Sequence, residues 1–396
     1  MICGTRRRTI WPGSLAALLL LAGCASDPAD VSAAASVRVT LEAFRDAHNV
    51  PGMTAAIVLD NGRSLAVAVG FADREAGRPM KPDTPMLAAS IGKTFIAATV
   101  LALADQRLLN LDAPLSRYLS DKGWFEQLPR GERITIRQLL NHTSGLPDHV
   151  HDADFSAAFG RRYALDTPPF SPDELIGFIF NAPVLFEPGR GWSYSDTGFV
   201  LLGLVIENVT GDSWSREVQR RFLQPLGLGQ TRASNRRDLA GLATGYLAAD
   251  NPFGLPTKTI GADGRMVWNP AIEDAGGGFL STSLDLARWG DALFHGRAVS
   301  NAALQQMLDA VPVSSDDPGR RYGAGVGIET GGVFGPVYGH AGWIPGYVSS
   351  LRHYPALGAT VAFQINTDVG LTDGHSNPLP LLEQQLARIA ENWRSQ

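Results

Sequence analysis

Ser90 and Lys93 stand three residues apart, just before an apolar run that extends from Phe95 to Leu103. Such a run predicts a helix covered on all sides, and on a helix this spacing places both side chains on one face. A serine hydroxyl becomes a nucleophile when a neighbouring group accepts its proton. The amine of a lysine can accept that proton if burial or a nearby cation favours its neutral form. The pair therefore indicates a candidate nucleophile and base at a helix start, where backbone N–H groups lack intrahelical partners.

Two other interpretations fit part of this pattern. A capping serine followed by a solvated lysine has the same spacing. The run Gly92-Lys93-Thr94 also matches the end of a phosphate-binding loop, but that loop needs a glycine where this chain has Leu87. A phosphate loop is therefore excluded, and the choice between a catalytic and a capping serine depends on the rest of the chain.

Two further stretches carry residues that could take part in proton transfer. Tyr194-Ser195-Asp196 precedes an apolar run from Phe199 to Ile206, and a tyrosine in that place is either a general acid or base or a core residue with a bonded hydroxyl. His340-Ala341-Gly342 lies between two strand-like segments, where a single histidine is usually structural. Neither stretch decides the chemistry alone.

In combination, the three stretches resemble the penicillin-recognising serine hydrolases in order and approximate spacing. The chain is similar to the class C β-lactamase family, which includes serine D-Ala-D-Ala carboxypeptidases, D-aminopeptidases and family VIII esterases. The resemblance covers about residues 37–390. Supporting stretches are Leu139-Leu140-Asn141-His142-Thr143-Ser144-Gly145-Leu146, Pro188-Gly189 and Gly276-Gly277-Gly278-Phe279-Leu280-Ser281-Thr282.

The resemblance implies an acyl-enzyme mechanism. Ser90 would be acylated, and Lys93 with Tyr194 would carry the proton. The backbone N–H groups of Ser90 and Trp343 would form the oxyanion hole. His340 would help to bind the substrate or polarise the groups around Tyr194. The resemblance implies neither a metal nor another cofactor.

The chain departs from the family pattern at two positions. Asp196 stands where many relatives have asparagine, and a carboxylate near Lys93 would favour the protonated amine and place more of the base role on Tyr194. His340 stands where most β-lactamases have lysine, which favours a peptidase or an esterase over an efficient β-lactamase. Asp196 and Gly342 are expected to belong to the substrate-binding network.

The pattern of elements predicts an α+β fold of the β-lactamase and penicillin-binding-protein type. Strands near both ends, with helices between them, imply an antiparallel sheet flanked by helices and an inserted all-helical region at about 105–290. Asp60-Asn61-Gly62-Arg63 predicts a hairpin turn. The predicted helices are 37–49, one that starts near Ser90, 136–141, 173–180, 197–209, 215–222, 284–294 and 379–393, and the predicted strands are 54–59, 64–71, 322–329, 347–354 and 360–366.

The N-terminus predicts export. Three arginines at 6–8 precede an apolar run, Leu15 to Ala22, that is too short to span a bilayer. Leu21-Ala22-Gly23-Cys24 resembles a bacterial lipobox, so residues 1–23 are interpreted as a lipoprotein signal peptide and Cys24 as the lipidated residue. Residues 24–36 are expected to be a flexible tether. The expected location is the periplasmic side of a membrane, the outer membrane in particular; the alternative is plain secretion with a free cysteine.

Charge and motifs bear on three other classes of function: nucleic-acid binding, metal binding and α/β-hydrolase activity. The 396 residues carry a formal net charge of -5 and show no basic stripe, so nucleic acid is not an expected partner. Asp148-His149-Val150-His151-Asp152 could hold a metal, but a solvated loop is the favoured interpretation. There is no Gly-x-Ser-x-Gly sequence, which argues against an α/β-hydrolase.

The sequence therefore predicts a serine hydrolase that acts through a Ser90 acyl-enzyme. The expected substrates are D-amino-acid-containing peptides or related amides, including peptidoglycan-derived ones, as for a D-Ala-D-Ala carboxypeptidase. The alternatives are a carboxylesterase of the same fold, a weak class C-like β-lactamase, and a wall-binding protein that has kept the fold without activity.

Overall fold

The computed structural model describes residues 1, 27–164, 168–371 and 377–396. Apart from residue 1, the predicted signal peptide and Cys24 lie outside the described residues. Helices in the described ranges are all too short or too polar to cross a membrane.

The first helix, α1 (Pro28–His48), begins before the position that the sequence pattern predicted. The Asp27 side chain accepts the backbone N–H of Ala29 at 2.9 Å, which is a normal way to start a helix. Ala33 is buried and extends the apolar stripe that continues through Val37. The prediction of a flexible tether for residues 24–36 is therefore wrong from Pro28 onward.

A large antiparallel sheet lies at the centre of the fold. Within the described residues it contains nine strands in the order β3-β2-β1-β12-β11-β10-β9-β8-β7, and neighbouring strands run in opposite directions. This confirms the predicted sheet type. The strands are β1 (Gly52–Leu59), β2 (Ser64–Asp73), β3 (Arg78–Pro79), β4 (Met86–Leu87), β5 (Arg232–Ala233), β6 (Phe279–Ser281), β7 (Val311–Pro312), β8 (Arg320–Tyr322), β9 (Gly327–Gly332), β10 (Gly335–Ile344), β11 (Tyr347–Tyr354) and β12 (Ala359–Ile365).

The order of the strands brings the two ends of the chain together. β1 pairs with β2 on one side and with β12 on the other, in a register that places Met53 opposite Ile365. The β1–β2 turn contains Gly62 at φ 88°, as expected for a tight hairpin turn. The segment predicted as one strand, 322–329, is divided between β8 and β9 because Gly325 turns the chain at φ 68°.

Helices cover both faces of this sheet. α1 and the C-terminal helix α11 (Leu379–Arg394) pack on one face and α9 (Ser283–Phe294) on the other, so β1 is buried along its whole length. The remaining α-helices of the described residues are α2 (Gly92–Asp105), α3 (Ser116–Leu119), α4 (Ile136–Leu140), α5 (Ala153–Ala164), α6 (Pro172–Gly177), α7 (Asp196–Thr210), α8 (Trp214–Val218) and α10 (Asn301–Leu308).

The region between α2 and α9 is mainly helical and holds α3 to α8. It also contributes β5 and β6, which pair with β4 in a small second sheet. That sheet connects the segment before α2 to the segment before α9. The candidate nucleophile therefore lies where the helical region meets the large sheet.

Candidate active site

Ser90 lies in a single 3-10 turn, Ala89–Ile91, between β4 and α2. Ala89 has φ 50°, a left-handed conformation that is uncommon for a residue with a side chain and costs of order 1–3 kcal/mol. The turn is held on two sides, because Ala88 donates its N–H to the carbonyl of Phe279 at 2.8 Å and accepts from the Ser349 hydroxyl at 2.7 Å. A strained and well-anchored turn presents Ser90 at the start of the buried helix.

Lys93 is completely buried in the first turn of α2. Its ammonium group donates to the Ser90 hydroxyl at 3.1 Å, to a carboxylate oxygen of Asp196 and to the carbonyl of Gly276. A lysine ammonium has three N–H donors, so this environment satisfies it completely in its charged form. The structure thus brings Ser90 and Lys93 together as predicted, with Lys93 as the donor.

Asp196, the first residue of α7, points into the site. It forms an ion pair with Lys93, and its side chain is 23% exposed, so water still reaches the carboxylate. Its backbone N–H is donated to the Asp148 carboxylate at 3.1 Å. The orientation of Asp196, which the sequence could not give, is therefore fixed by one contact to α2 and one to the loop after α4.

The predicted solvated loop at 148–152 is wrong for Asp148 and His149, whose side chains are both buried. Burial and the charge of Asp196 raise the pKa of Asp148 to about 7. The Nδ1 atom of His149 lies 2.9 Å from the Thr197 hydroxyl, and burial lowers the pKa of His149 to about 4. The loop turns inward because α7 offers these polar partners.

The same loop was the candidate metal site. His151 is exposed at 83% of its side chain and lies 3.9 Å from Asp148, whereas His149 points to α7. Within the described parts of the chain, no three or more ligating side chains are arranged to hold a metal ion.

Tyr194 lies beside the nucleophile, with its ring centroid 4.9 Å from the Lys93 nitrogen. Its hydroxyl is buried and has no hydrogen-bond partner of normal geometry among the described residues. Burial raises the pKa of Tyr194 well above its usual value; the charge of Asp196 acts in the same direction, and the neighbouring Ser90 hydroxyl acts against it. Tyr194 is therefore neutral in this state, next to the hydroxyl that it is expected to deprotonate.

His142 packs against Tyr194, with 4.3 Å between the ring centroids. Its Nδ1 accepts the backbone N–H of Ser195 at 3.2 Å, which leaves the proton of the neutral ring on Nε2. Burial lowers the pKa of His142 well below its usual value. Sequence reasoning assigned His142 no role, although it lies in one of the stretches that support the resemblance.

His340, in β10, contacts Tyr322 and does not line the cavity at Ser90. Its Nδ1 bonds to the carbonyl of Ala341, which can only accept, so Nε2 accepts from the Tyr322 hydroxyl at 2.8 Å. Burial and the charge of Lys93 lower the pKa of His340 to about 3. The residue is therefore a neutral acceptor, and a substrate carboxylate would find no cation there.

The backbone N–H of Trp343 is available at the cavity. β10 and β11 are joined by a two-residue turn, with Ile344 opposite Tyr347, and hydrogen-bonded pairs alternate along an antiparallel ladder. The N–H of Trp343 therefore points away from β11. On that side, the described ladder between β9 and β10 ends at Gly339, and Trp343 lines the same cavity as Ser90.

Gly342 allows β10 to pass close to the nucleophile turn. A Cβ atom at this position would lie 2.4 Å from the carbonyl oxygen of Ala88 and 2.3 Å from the Ser349 hydroxyl. Gly342 was expected in the substrate-binding network; its surroundings instead indicate a packing role that keeps Trp343 near Ser90.

An open cavity of about 600 Å³ adjoins Ser90. Its wall is mainly apolar, with several aromatic residues, and a few polar groups line it, including Asp196 and Glu273. The aromatic residues are Phe155, Phe159, Phe253, Trp268 and Trp343. A cavity of this kind suits a substrate with an apolar side chain next to the carbonyl that Ser90 would attack.

Glu273 is a site residue that sequence reasoning missed. It lies in a 3-10 segment, Pro270–Gly276, without a periodic pattern, and the only sequence signal is its place just before the glycine run 276–278. Asp274 reverses the chain at φ 41° and is anchored by the Trp214 indole N–H at 2.9 Å. This reversal lets the Gly276 carbonyl face Lys93 while Glu273 faces the cavity.

The comparisons with known proteins agree with this geometry. The β-lactamase family model matches residues 37–385. The chain is 33% identical to "Esterase EstB" of Burkholderia gladioli over 81% of each chain. It is 28% identical to "Penicillin-binding protein 4*" of Bacillus subtilis over 72% of this chain and 61% of that protein.

A solved structure shows the same fold. The D-stereospecific amidohydrolase of Streptomyces sp. is 30% identical and aligns with a TM-score of 0.73, over 85% of this chain and 94% of that one. The predicted fold class and the predicted family are therefore confirmed. The chain belongs to the β-lactamase family and is a serine hydrolase of that fold.

Proposed function

We propose that this serine hydrolase cleaves amides and peptides of D-amino acids through an acyl-enzyme on Ser90. The observation that carries the proposal is the group formed by Ser90, the buried Lys93 and Tyr194, with Ser90 at the wall of a largely apolar cavity. The similarity to an amidohydrolase that acts on D-stereoisomers and to a penicillin-binding protein supports the substrate class. Peptidoglycan-derived peptides are a natural source of such substrates.

The reaction begins when the Ser90 oxygen attacks the substrate carbonyl carbon. Negative charge develops on the carbonyl oxygen, and the backbone N–H groups of Ser90 and Trp343 donate to it. One donor of this kind contributes about 2.7–4 kcal/mol to transition-state stabilisation. The close packing at Gly342 keeps these two N–H groups on the same side of the cavity.

The proton of Ser90 passes through Tyr194 and Lys93 to the leaving amine. Because Lys93 is satisfied as an ammonium ion and Tyr194 is neutral, the reactive form is the one in which this coupled group has lost one proton. Water then attacks the acyl-enzyme. The same groups take a proton from this water and deliver it to the Ser90 oxygen as the bond to the acyl group breaks and the acid leaves. His340 has an indirect role in this proposal: its Nε2 atom accepts the hydrogen bond of the Tyr322 hydroxyl and so orients that hydroxyl.

The test is intact-mass analysis after exposure to a fluorophosphonate probe and to D- and L-phenylalanine p-nitroanilide. We expect the probe to add its mass to the wild type and not to Ser90→Ala, and the D-anilide to be cleaved faster than the L-anilide. Labelling of another serine in Ser90→Ala would contradict the mechanism. Cleavage without preference for the D-anilide would contradict the substrate class.

A carboxylesterase is the second candidate, and the 33% identity to an esterase over most of both chains favours it. The apolar cavity suits an ester as well as an amide. The two candidates are separated by the ratio of kcat/KM for the methyl ester and the amide of D-phenylalanine, compared in one assay. An esterase would cleave the ester and leave the amide intact.

We further propose that the protein is exported and anchored on the periplasmic side of the outer membrane through a lipid on Cys24. The support is the sequence alone: a charged start, a short apolar run and Leu21-Ala22-Gly23-Cys24. Only a few residues separate Cys24 from α1, so the anchor would hold the enzyme close to the membrane surface.

A further inference from the structure

Glu273 carries a buried carboxyl oxygen, Oε2, for which the described residues provide no hydrogen-bond partner. Its side chain lines the same cavity as Ser90 and Asp196. An unpaired buried carboxyl oxygen is unfavourable, and nothing in the mechanism above uses this group. The position therefore calls for a donor that arrives with a ligand.

The protein itself has little to offer this oxygen. Lys93 and Asp196 are the charged groups that act on Glu273, and the three N–H donors of Lys93 are already used by Ser90, Asp196 and Gly276. On the other side, the Glu273 carboxyl is held against the glycine run, because a Cβ at Gly277 would lie 2.6 Å from its Oε1. Glu273 itself lines the cavity at Ser90, so its carboxyl is within reach of a group that binds there.

The charge around the cavity favours a cation. One ammonium group, Lys93, faces two carboxyl groups, Asp196 and Glu273, and a third, Asp148, lies behind Asp196. Burial raises the pKa of Glu273 to about 8, so the carboxyl is protonated at neutral pH before a substrate binds. A positively charged group on the substrate would lower that pKa and pair with the resulting carboxylate, and the aromatic residues of the wall would add attraction for a cation. A substrate carboxylate would instead be repelled, and the neutral His340 gives it no counter-charge.

We propose that Glu273, with Asp196, binds the free α-ammonium group of the substrate. The enzyme then acts on unblocked amino-acid amides and on the N-terminal residue of peptides, in preference to N-acylated substrates. This inference rests on the proposed hydrolysis of D-amino-acid amides and adds that the amino group of the substrate must be free. The substrate is fixed at three points: carbonyl at Ser90, side chain against the aromatic wall and ammonium at Glu273.

The test compares D-phenylalanine p-nitroanilide with its N-acetyl derivative in the wild type, in Glu273→Gln and in a control variant. We expect the wild type to prefer the free amine. We expect the ratio of the two kcat/KM values to fall roughly tenfold to a hundredfold in Glu273→Gln, as for loss of a hydrogen bond between charged groups. Glu207→Gln is the matched control, because Glu207 is a half-buried carboxyl of α7 that bonds Trp214 and lies away from the cavity; it should keep the wild-type ratio.

Several outcomes would overturn the inference. A wild-type ratio near one, or an unchanged ratio in Glu273→Gln, would show that no ammonium subsite exists. An equal loss on both substrates would show that Glu273 acts in the reaction and not in recognition. Acylation of Ser90 by both substrates without discrimination removes only this inference, whereas failure of both substrates to acylate Ser90 removes the proposed function itself.

A binding measurement covers the case in which Glu273→Gln does not fold. Calorimetric titration of Ser90→Ala with D-phenylalanine amide and with N-acetyl-D-phenylalanine amide compares the two ligands without turnover. We expect binding of the free amine to be at least about tenfold tighter. Equal affinity, or tighter binding of the acetylated ligand, would contradict the proposal.

Discussion

The ammonium nitrogen of Lys93 lies 3.1 Å from the hydroxyl oxygen of Ser90 and donates a hydrogen bond to it. A donor cannot at the same time remove the hydroxyl proton, so the resting site holds one proton more than the reactive form. The ion pair with Asp196 stabilises this resting form. The site is thus assembled but not yet basic.

We therefore expect kcat/KM on a neutral ester to rise with pH above neutrality. Asp196→Asn should shift this rise to lower pH, because the charge of Asp196 raises the pKa of Tyr194. The measurement is a pH–rate profile for both enzymes. Asp212→Asn is the control, because it makes the same change at a surface ion pair with Arg216, and it should keep the wild-type profile. If the profiles of Asp196→Asn and Asp212→Asn coincide, the charge of Asp196 does not control the pH dependence.

Gly342→Ala should separate β10 from the nucleophile turn, since the new methyl group would lie 2.4 Å from the Ala88 carbonyl. We expect a stability loss of about 1–3 kcal/mol and a fall in kcat/KM of roughly a hundredfold from displaced oxyanion donors. Gly331→Ala in β9 is the control, because a Cβ there meets no atom within 4 Å. Urea unfolding and ester kinetics measure both effects, and equal behaviour of the two variants would refute the packing role.

His340 should add no inflection near pH 6.5 to the rate profile, because its pKa is lowered to about 3. His340→Lys would place a cation close to Lys93 and remove the acceptor of the Tyr322 hydroxyl, so we expect it to lose at least about 2 kcal/mol of stability. His151→Lys, on an exposed side chain, should stay within about 0.5 kcal/mol of the wild type. Comparable melting temperatures for the two variants would show that position 340 tolerates charge.

Glu273 should make the protein less stable as pH rises. Burial raises its pKa to about 8 in the folded state, whereas an unfolded glutamate titrates near about 4. The stability that its protonated form contributes is therefore present below the unfolded value and is lost as pH rises through about 8. The melting temperature of Glu273→Gln should rise relative to that of the wild type as the pH is raised from 5 to 9. A difference in melting temperature that stays constant over this range would contradict the prediction.

Cys24→Ser tests the proposed lipid anchor. We expect the wild type to fractionate with membranes and to need detergent for extraction, and the variant to be released in soluble form. Because Cys24 precedes α1 in the chain and is not one of the proposed catalytic residues, ester hydrolysis by the released variant serves as the folding control. A wild type that is already soluble after export would remove the anchor from the proposal.

Local signals predicted much of the fold. The β11 strand lies at its predicted bounds, the α11 helix follows its amphipathic pattern, and Asn61-Gly62 marks the β1–β2 turn. The division at Gly325 was missed, because it depends on packing against α2: a Cβ there would lie 2.8 Å from the Lys93 carbonyl oxygen. Spacing and propensity carry no information on such contacts.

In the site, too, contacts within one turn of the chain could be predicted and contacts between distant elements could not. The spacing of Ser90 and Lys93 predicted their contact, because both lie within one turn of the chain. The inward orientation of Asp148, the Tyr322 partner of His340 and the cavity position of Glu273 are contacts between distant elements. Each involves a residue type that is usually solvated, so the sequence alone favoured the wrong surroundings or none.

The pairing of β1 with β12 has a consequence for synthesis of the protein. Met53 and Ile365 face each other in the ladder although about 300 positions separate them, and contacts at such separation form slowly. A nascent chain that ends before β11 leaves one edge of β1 open and has no Ser349, which holds the Ala88 carbonyl beside the nucleophile. The enzyme therefore becomes competent only after β11 and β12 have been made, and shorter chains expose an apolar strand edge that invites aggregation.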